Sequence, residues 1–228
     1  MINTVIFDFD GVVADSEVVA NELLAECVRD LGADMSTEDA YREFLGKSFK
    51  HIQEIIEQKI GGPLPHGFGP MYLEKTTAKF REELRPVSGV QDFLKGLDLQ
   101  KCIASSSAPE RINLCLDIMN MAGLFDESRI FSATMVERGK PHPDIFLHAS
   151  KHMGVQPHQC LVIEDSVSGV QAAKAAGAHV IGLLAASHIQ DGHGERLKSA
   201  GADFIADCYH VIADILQKIN SGSNIEIL

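Results

Sequence analysis

No C-x-x-C pair occurs anywhere in the 228 residues, and the five cysteines (Cys27, Cys102, Cys115, Cys160, Cys208) are scattered and odd in number. That pattern signals neither a disulfide framework nor a zinc cluster. Each cysteine falls among apolar neighbours and reads as a small core residue, which fits a reducing cytoplasm. Positive charge is also short: 20 Lys and Arg against 32 Asp and Glu leave a net charge of −12. Non-specific nucleic-acid binding needs a basic footprint, so nucleic acid is not expected as a partner. Any anionic substrate must be drawn in by local cations against the overall field. Apolar runs are brief, and stretches such as Val180–Ala186 are far too short to span a bilayer. The N-terminus has no basic segment followed by an apolar one, so neither a signal peptide nor a membrane partner is expected. Internal repeats and low-complexity tracts are missing as well. With 45% hydrophobic residues, the chain has ample material for one large domain, or for a domain with a smaller insertion.

The hydrophobic pattern divides the chain. Val5-Ile6-Phe7 is a short apolar run that drives into Asp8-Phe9-Asp10-Gly11. A strand apolar along its whole length wants burial on both faces, and its tip is where open parallel sheets place ligand sites. A helix is expected from Glu17, capped by Ser16 or Asp15 and stopped at Gly32. Helical spacing continues over Thr37–Leu45, Ser48–Ile60 and Pro70–Leu84, with no strand candidate between them. From Arg85 the pattern changes to alternating helices and strands: helix Gly89–Leu97, strand Lys101–Ser105, helix Glu110–Met121 and a strand near Ile130–Ser132. Helix Pro143–Met153, strand Cys160–Ile163, helix Val167–Ala176 and strand His179–Leu183 follow. The finish is helix Glu195–Ser199, strand Asp203–Ala206 and helix Val211–Ile219. Such alternation predicts an α/β fold, a doubly wound parallel sheet with an all-helical insertion. The expected boundaries are 1–15 and 85–228 for the core and 16–84 for the insertion, with hinges near Val13–Ser16 and Leu84–Val87. The tail from Ser221 to Asn224 is expected to fray. No self-complementary apolar helix stands out, so a monomer is expected.

Three later strands also end in polar groups. Lys101–Ala104 runs into Ser105-Ser106-Ser107, a hydroxyl and successive N–H groups before a helix, which suit either an anion seat or a plain serine cap. Arg138-Gly139-Lys140-Pro141-His142-Pro143 presents Lys140 on a backbone stiffened by two prolines, although a lone lysine is usually solvated surface. Leu161-Val162-Ile163 ends in Glu164-Asp165. With Asp8 and Asp10 these acids would make a four-carboxylate cluster, and like charges packed so tightly need a cation. An oxygen-only set suits Mg2+. Acids, an anion seat and a cation at one sheet edge point to phosphoryl transfer.

In these motifs, and over nearly its whole length, the chain resembles the haloacid dehalogenase superfamily of phosphohydrolases with an inserted helical cap. The group concerned contains β-phosphoglucomutase and many sugar-phosphate phosphatases. The resemblance implies a Rossmann-like core, a small phosphorylated metabolite as substrate and Mg2+ as cofactor. It makes Asp8 the nucleophile that forms an aspartyl-phosphate, and Asp10 the general acid and base. Ser105, helped by the Ser106 backbone, binds the phosphoryl group, and Lys140 stabilises it together with Asp8. Mg2+ is held by Asp8, the Asp10 carbonyl and Asp165, with Glu164 near it or acting through water. From the cap, Glu17, Asn21, Lys47 and Lys50 are candidates for substrate contact, a solvated face being the alternative. Gly46 would allow close approach of its loop. The mutase pattern has a His in the first cap helix, where Val19-Ala20-Asn21 stands here, and an Arg after the cap glycine, where Phe49-Lys50 stands. The chain also has no Trp, which is usual in that mutase helix. Hydrolysis is therefore expected ahead of a mutase reaction, and the metal-binding acids argue against a dehalogenase. The presence of both Asp8 and Asp10 argues against a non-catalytic phosphosugar sensor.

Overall fold

Thr4–Phe7 forms the first strand, β1, and all four residues are buried, as an unbroken apolar strand inside a parallel sheet requires. A computed structural model of the chain describes residues 1–45, 47 and 49–222. Five further strands follow: β2 (Gln100–Ser105), β3 (Ile130–Ser132), β4 (Cys160–Glu164), β5 (His179–Leu183) and β6 (Phe204–Ala206). They form one sheet in the order β3-β2-β1-β4-β5-β6, and every pairing is parallel. Phe7 aligns with Ile103 on β2 and with Ile163 on β4. The three central strands therefore finish together and bring Asp8, Ser105 and Glu164 to one edge. The strand order reverses direction at β1, the switch point where open α/β sheets bind ligands.

Helices cover both faces, so the fold is the expected doubly wound α/β sheet. On one face, Ile6, Cys102, Phe131, Val162 and Val180 pack into a single cluster with α7 (Asp144–His152) and α8 (Val167–Ala176), through Phe146, Ala149, Val170 and Ala173. On the other, the Phe7 ring meets Phe93 of α5 (Val90–Gly96) edge-on at 6.1 Å, and Phe125 at 5.8 Å. Phe93 in turn lies 5.2 Å from Tyr209, which opens α10 (Tyr209–Ser221). A fully buried ring such as that of Phe7 contributes roughly 1.5–3 kcal/mol. The remaining helices of this unit are α6 (Pro109–Ile118) and α9 (His193–Ala200). The sequence pattern ran α6 on to Met121, but Asn120 adopts φ 56 and ends the helix early, a conformation that asparagine tolerates better than most residues.

Residues 1–15 and those from Pro86 onward form this compact unit, and Ser16–Arg85 forms a second. The two chain crossings lie side by side in the first unit, where Val87 N–H donates to the Val13 carbonyl at 3.0 Å. The second unit contains α1 (Glu17–Asp30), α2 (Thr37–Phe44), α3 (Phe49–Ile60) and α4 (Phe68–Glu83), with no strand among its described residues. Leu24, Val28, Met35, Phe44, Ile56 and Phe68 make its core. Ser36 and Asp39 form a reciprocal capping box on α2. The expected side-chain cap on α1 does not form. Ser16 itself has helical backbone angles, which take its hydroxyl away from the first free N–H groups, and the Asp15 carboxylate accepts from Ser187 N–H and Oγ instead. α4 starts two residues before Pro70, because Gly67 at φ 86 turns the chain into it. Pro70 then falls in the first turn, where a missing N–H costs no helix bond. Among the described residues no helix is long and apolar enough to cross a membrane.

Gly182 on β5 allows the close approach of β6 and α9, because a Cβ there would meet Ile205 Cδ1 and Leu197 Cδ1 at 2.8 Å. Gly182→Ala is expected to cost about 1–3 kcal/mol. Urea unfolding will read this as a lower midpoint at unchanged slope, and an unshifted midpoint would show that the sheet yields there freely.

Candidate active site

The Lys140 side chain is buried, unlike the solvated surface that a lone lysine usually occupies. Its Nζ donates to Asp8 Oδ1 at 2.7 Å and to Glu164 Oε1 at 2.5 Å. Only 5% of the lysine side chain and none of the glutamate is exposed. The ammonium also lies 5.1 Å from the centre of the Phe146 ring. The loop that carries it is tied across its base by Arg138, whose Nε and Nη2 donate to the two Asp144 carboxylate oxygens at 3.1 and 2.8 Å. Glu164 is fixed from the other side, where Oε2 accepts from Ser166 N–H at 3.1 Å and from Ser166 Oγ at 2.9 Å. Ser166 Oγ then caps α8 by accepting from Gly169 N–H. Burial opposes the charge on Lys140, but the carboxylates of Asp8 and Glu164 outweigh it and hold the ammonium above the usual lysine range.

Asp8, Glu164 and Asp165 bring carboxylate oxygens within 4.8 Å of one another, and all three are buried. Burial, with the neighbouring carboxylates behind it, pushes Asp8 and Asp165 well above the usual carboxylate range, while Lys140 works the other way. One ammonium among three buried acids leaves negative charge uncompensated, and the donor set is entirely oxygen. These residues fit a hard divalent cation. Gly11, at φ 75, lets the loop after β1 pass against this group, since a Cβ there would stand 1.8 Å from Asp165 Oδ2.

Asp10 differs from the expectation of a four-carboxylate cluster. Its carboxylate turns to the β2–α6 side, where Arg111 Nη1 donates to Oδ1 at 2.6 Å and to Oδ2 at 2.8 Å. Ser107 Oγ adds a bond to Oδ2 at 2.7 Å. The serines do not cap α6 with their side chains, because the N-cap is Ala108 and has no side-chain bond. Instead the buried Ser105 Oγ accepts from Ser107 N–H at 3.1 Å, while Ser106 is exposed at the sheet edge. Ser132 Oγ, from the end of β3, supports the turn by donating to the Ser107 carbonyl at 2.8 Å.

Three residues of the site escaped the sequence reading: Arg111, His188 and His193. His188 Nε2 lies 3.1 Å from Asp165 Oδ2, and His193 Nε2 lies 2.5 Å from the Asp165 carbonyl. A signal was available for His188, which follows the C-terminal end of β5 as the other site residues follow their strands. Arg111 lies in the first turn of α6 and reaches back to donate to Ser107 Oγ, just before the helix, at 2.7 Å.

The other candidates belong to the helical unit. Asn21 is buried and donates to the Glu17 carbonyl at 2.7 Å and to Glu17 Oε2 at 2.9 Å. Lys47 and Lys50 are exposed. Lys50 lines a cleft of about 380 Å³ with Gln53, Glu54, Glu57 and Phe68. Gly46 lies outside the described residues.

The profile of the haloacid dehalogenase-like hydrolases matches residues 5–183. The chain is 27% identical over 188 residues to the 6-phosphogluconate phosphatase of Escherichia coli K12, covering 82% of this chain and 85% of that protein. A solved structure of a conserved haloacid dehalogenase-like protein of unknown function from Agrobacterium tumefaciens superposes with a TM-score of 0.82 at 31% identity, over 96% of this chain and all of that one. A hydrolase of the same family from Deinococcus radiodurans, with bound phosphate and sodium, superposes with a TM-score of 0.78 at 27% identity, over 96% of each chain.

Lys140→Met would leave two buried carboxylates facing an apolar side chain. Breaking a buried ion pair from one side costs roughly 3–5 kcal/mol, and urea unfolding of the variant is expected to show a loss of that order. A loss below about 1 kcal/mol, the scale of exposed pairs, would mean that the ammonium is not what holds the acids together.

Proposed function

The chain belongs to the haloacid dehalogenase-like hydrolases, and from that footing we propose that it is a Mg2+-dependent phosphatase of a small, hydroxyl-rich phosphate ester such as a sugar or polyol phosphate. The carrying observation is the Asp8 carboxylate at the tip of the central strand, 2.7 Å from a buried ammonium and grouped with two further acids. Asp8 attacks the phosphoryl group in line and becomes an aspartyl-phosphate. Lys140 favours the ionised form of Asp8 against the burial that opposes it, and balances charge on the phosphoryl oxygens. The Ser105 hydroxyl and the Ser106 backbone N–H hold those oxygens. Asp10 protonates the leaving alcohol and then takes a proton from the attacking water, two roles for one carboxyl group. Its pairing with Arg111 suits the second role, so the first requires it to turn away from the guanidinium. Asp8, the Asp10 carbonyl and Asp165, with Glu164 beside them, would hold Mg2+, which would supply charge neutralisation at the phosphate.

The substrate class rests on the 6-phosphogluconate phosphatase relative, whose named substrate is a phosphorylated polyhydroxy acid. Residues 16–84 act as the cap, and Glu17, Asn21, Gly46, Lys47 and Lys50 select the substrate. The protein works as a cytoplasmic monomer without nucleic-acid or membrane partners, a setting in which its five free cysteines stay reduced.

Purified protein is expected to release phosphate from p-nitrophenyl phosphate in Mg2+ and to stop in EDTA. Asp8→Asn, which cannot attack as a carboxylate, should bring release to background, and full activity in that variant would overturn the assignment. A second assay separates hydrolysis from a mutase reaction. With glucose 1-phosphate as substrate, free phosphate is expected, and accumulation of the 6-phosphate isomer would replace phosphatase with mutase.

A further inference from the structure

Lys140 bonds Asp8 and Glu164, whereas Asp165 is met by two imidazoles. His188, in the segment after β5, places Nε2 3.1 Å from Asp165 Oδ2, and the two side chains are only 3% and 6% exposed. His193, the first residue of α9, places Nε2 2.5 Å from the carbonyl oxygen of the same residue. The Arg196 guanidinium, one turn further along α9, lies 2.9 Å from His193 Nδ1. A guanidinium can only donate, so Nδ1 must accept, and the ring hydrogen sits on Nε2 and points at the Asp165 carbonyl. The arginine therefore sets the tautomer that makes His193 a donor. The two rings stand nearly perpendicular, 6.5 Å apart, so they approach Asp165 from different directions. Gly11 closes the third side, because a Cβ there would collide with Asp165 Oδ2 at 1.8 Å and with His188 Cε1 at 2.9 Å.

We propose that His188 and His193 are positioning residues for the divalent cation, and that they grip Asp165 at its carboxylate and its carbonyl so that it meets the ion in one fixed orientation. This rests on the metal-dependent reading above. Neither imidazole is itself a ligand in this arrangement. A carboxylate that rotates freely must be ordered when the ion binds, and one already held by donors is not. Outer groups that orient ligands in this way typically change metal affinity by about 10–100-fold when removed. Arg196 acts one step further out, through His193 alone.

The test is Mg2+ titration of EDTA-stripped full-length protein by calorimetry, which reads affinity without turnover. His188→Leu is expected to raise the Mg2+ dissociation constant by about 10–100-fold. His188→Gln keeps an N–H at similar reach and should recover most of the affinity. Arg196→Leu, at an exposed position, should fold normally and weaken Mg2+ by a smaller factor. Packing alone would lower thermal stability equally with and without Mg2+, whereas a positioning role shrinks the Mg2+-induced rise itself. Wild-type affinity in both His188→Leu and Arg196→Leu overturns the proposal. If His188→Leu does not fold, wild-type affinity in Arg196→Leu is enough to overturn it. A wild-type protein that takes up no Mg2+ overturns it together with the metal. If the affinities change as stated and no phosphate ester is hydrolysed, the proposal stands and the phosphatase reading falls.

Discussion

The pairing that the site depends on is one ammonium shared by two buried carboxylates. Taking a charge out of water is costly, and a buried ion pair repays the cost only when its geometry is tight and its remaining hydrogen-bond capacity is filled. Lys140, Asp8 and Glu164 meet the first condition, Glu164 also meets the second, and much of the local structure serves them. β1 and β4 run in register, so their first polar residues arrive together. Arg138 and Asp144 brace the loop that brings the lysine. Ser166 fills the second oxygen of Glu164 while capping a helix. Even Gly169 belongs to this set, since a Cβ there would stand 1.8 Å from Glu164 Oε1. The ammonium bonds two acids but offsets the charge of only one, and with Asp165 beside them the group calls for a further cation.

The two acids of the opening motif, one residue apart, live in different surroundings. Alternation alone would put residues two apart on one face, but the chain bends at Phe9, so Asp8 bonds the lysine while Asp10 bonds an arginine of α6. Asp8 faces a partner that is itself walled in. Asp10 faces one on a helix surface, where the Arg111 side chain is 25% exposed. A nucleophile has to stay in place and ionised, whereas a group that moves protons has to exchange partners. In the proposed mechanism the Lys140 pairing serves the first need and the more exposed Arg111 the second.

Most of the fold was legible because burial writes a period into the sequence. Apolar runs that end in acids or serines, spaced by helical stretches with short loops, are enough to derive a parallel sheet and its working edge. Lys140 was legible as a candidate but not as a buried group, since no sequence pattern reveals that Phe146 and two acids will enclose it. The limits are informative. Ser16 looks like a helix cap, yet its own backbone angles deny it the role. Asp10 looks like a fourth member of the acid cluster, yet a guanidinium fixed by tertiary structure claims it. Arg111, His188 and His193 lie in unremarkable sequence, and their significance comes from which elements the sheet order places side by side. A local pattern carries the element, while partners from distant segments carry the charge balance.

The short strand at the centre of the sheet also has a kinetic meaning. Its hydrogen-bond partners begin at Gln100 and Cys160, so during synthesis Thr4–Phe7 leaves the ribosome long before either neighbour exists. The helical block Ser16–Arg85 makes its contacts within one continuous stretch, and local contacts form early. A chain growing from its N-terminus at about 5–20 residues per second therefore carries an unpaired apolar strand for several seconds, followed by a stretch whose contacts are local to it. Pairing on both sides of β1 has to wait until β4 emerges, and the same step that completes the sheet gathers Asp8, Lys140 and Glu164. In this architecture the working site is among the last things the chain assembles, so a nascent protein holds no acid cluster until its core is nearly whole.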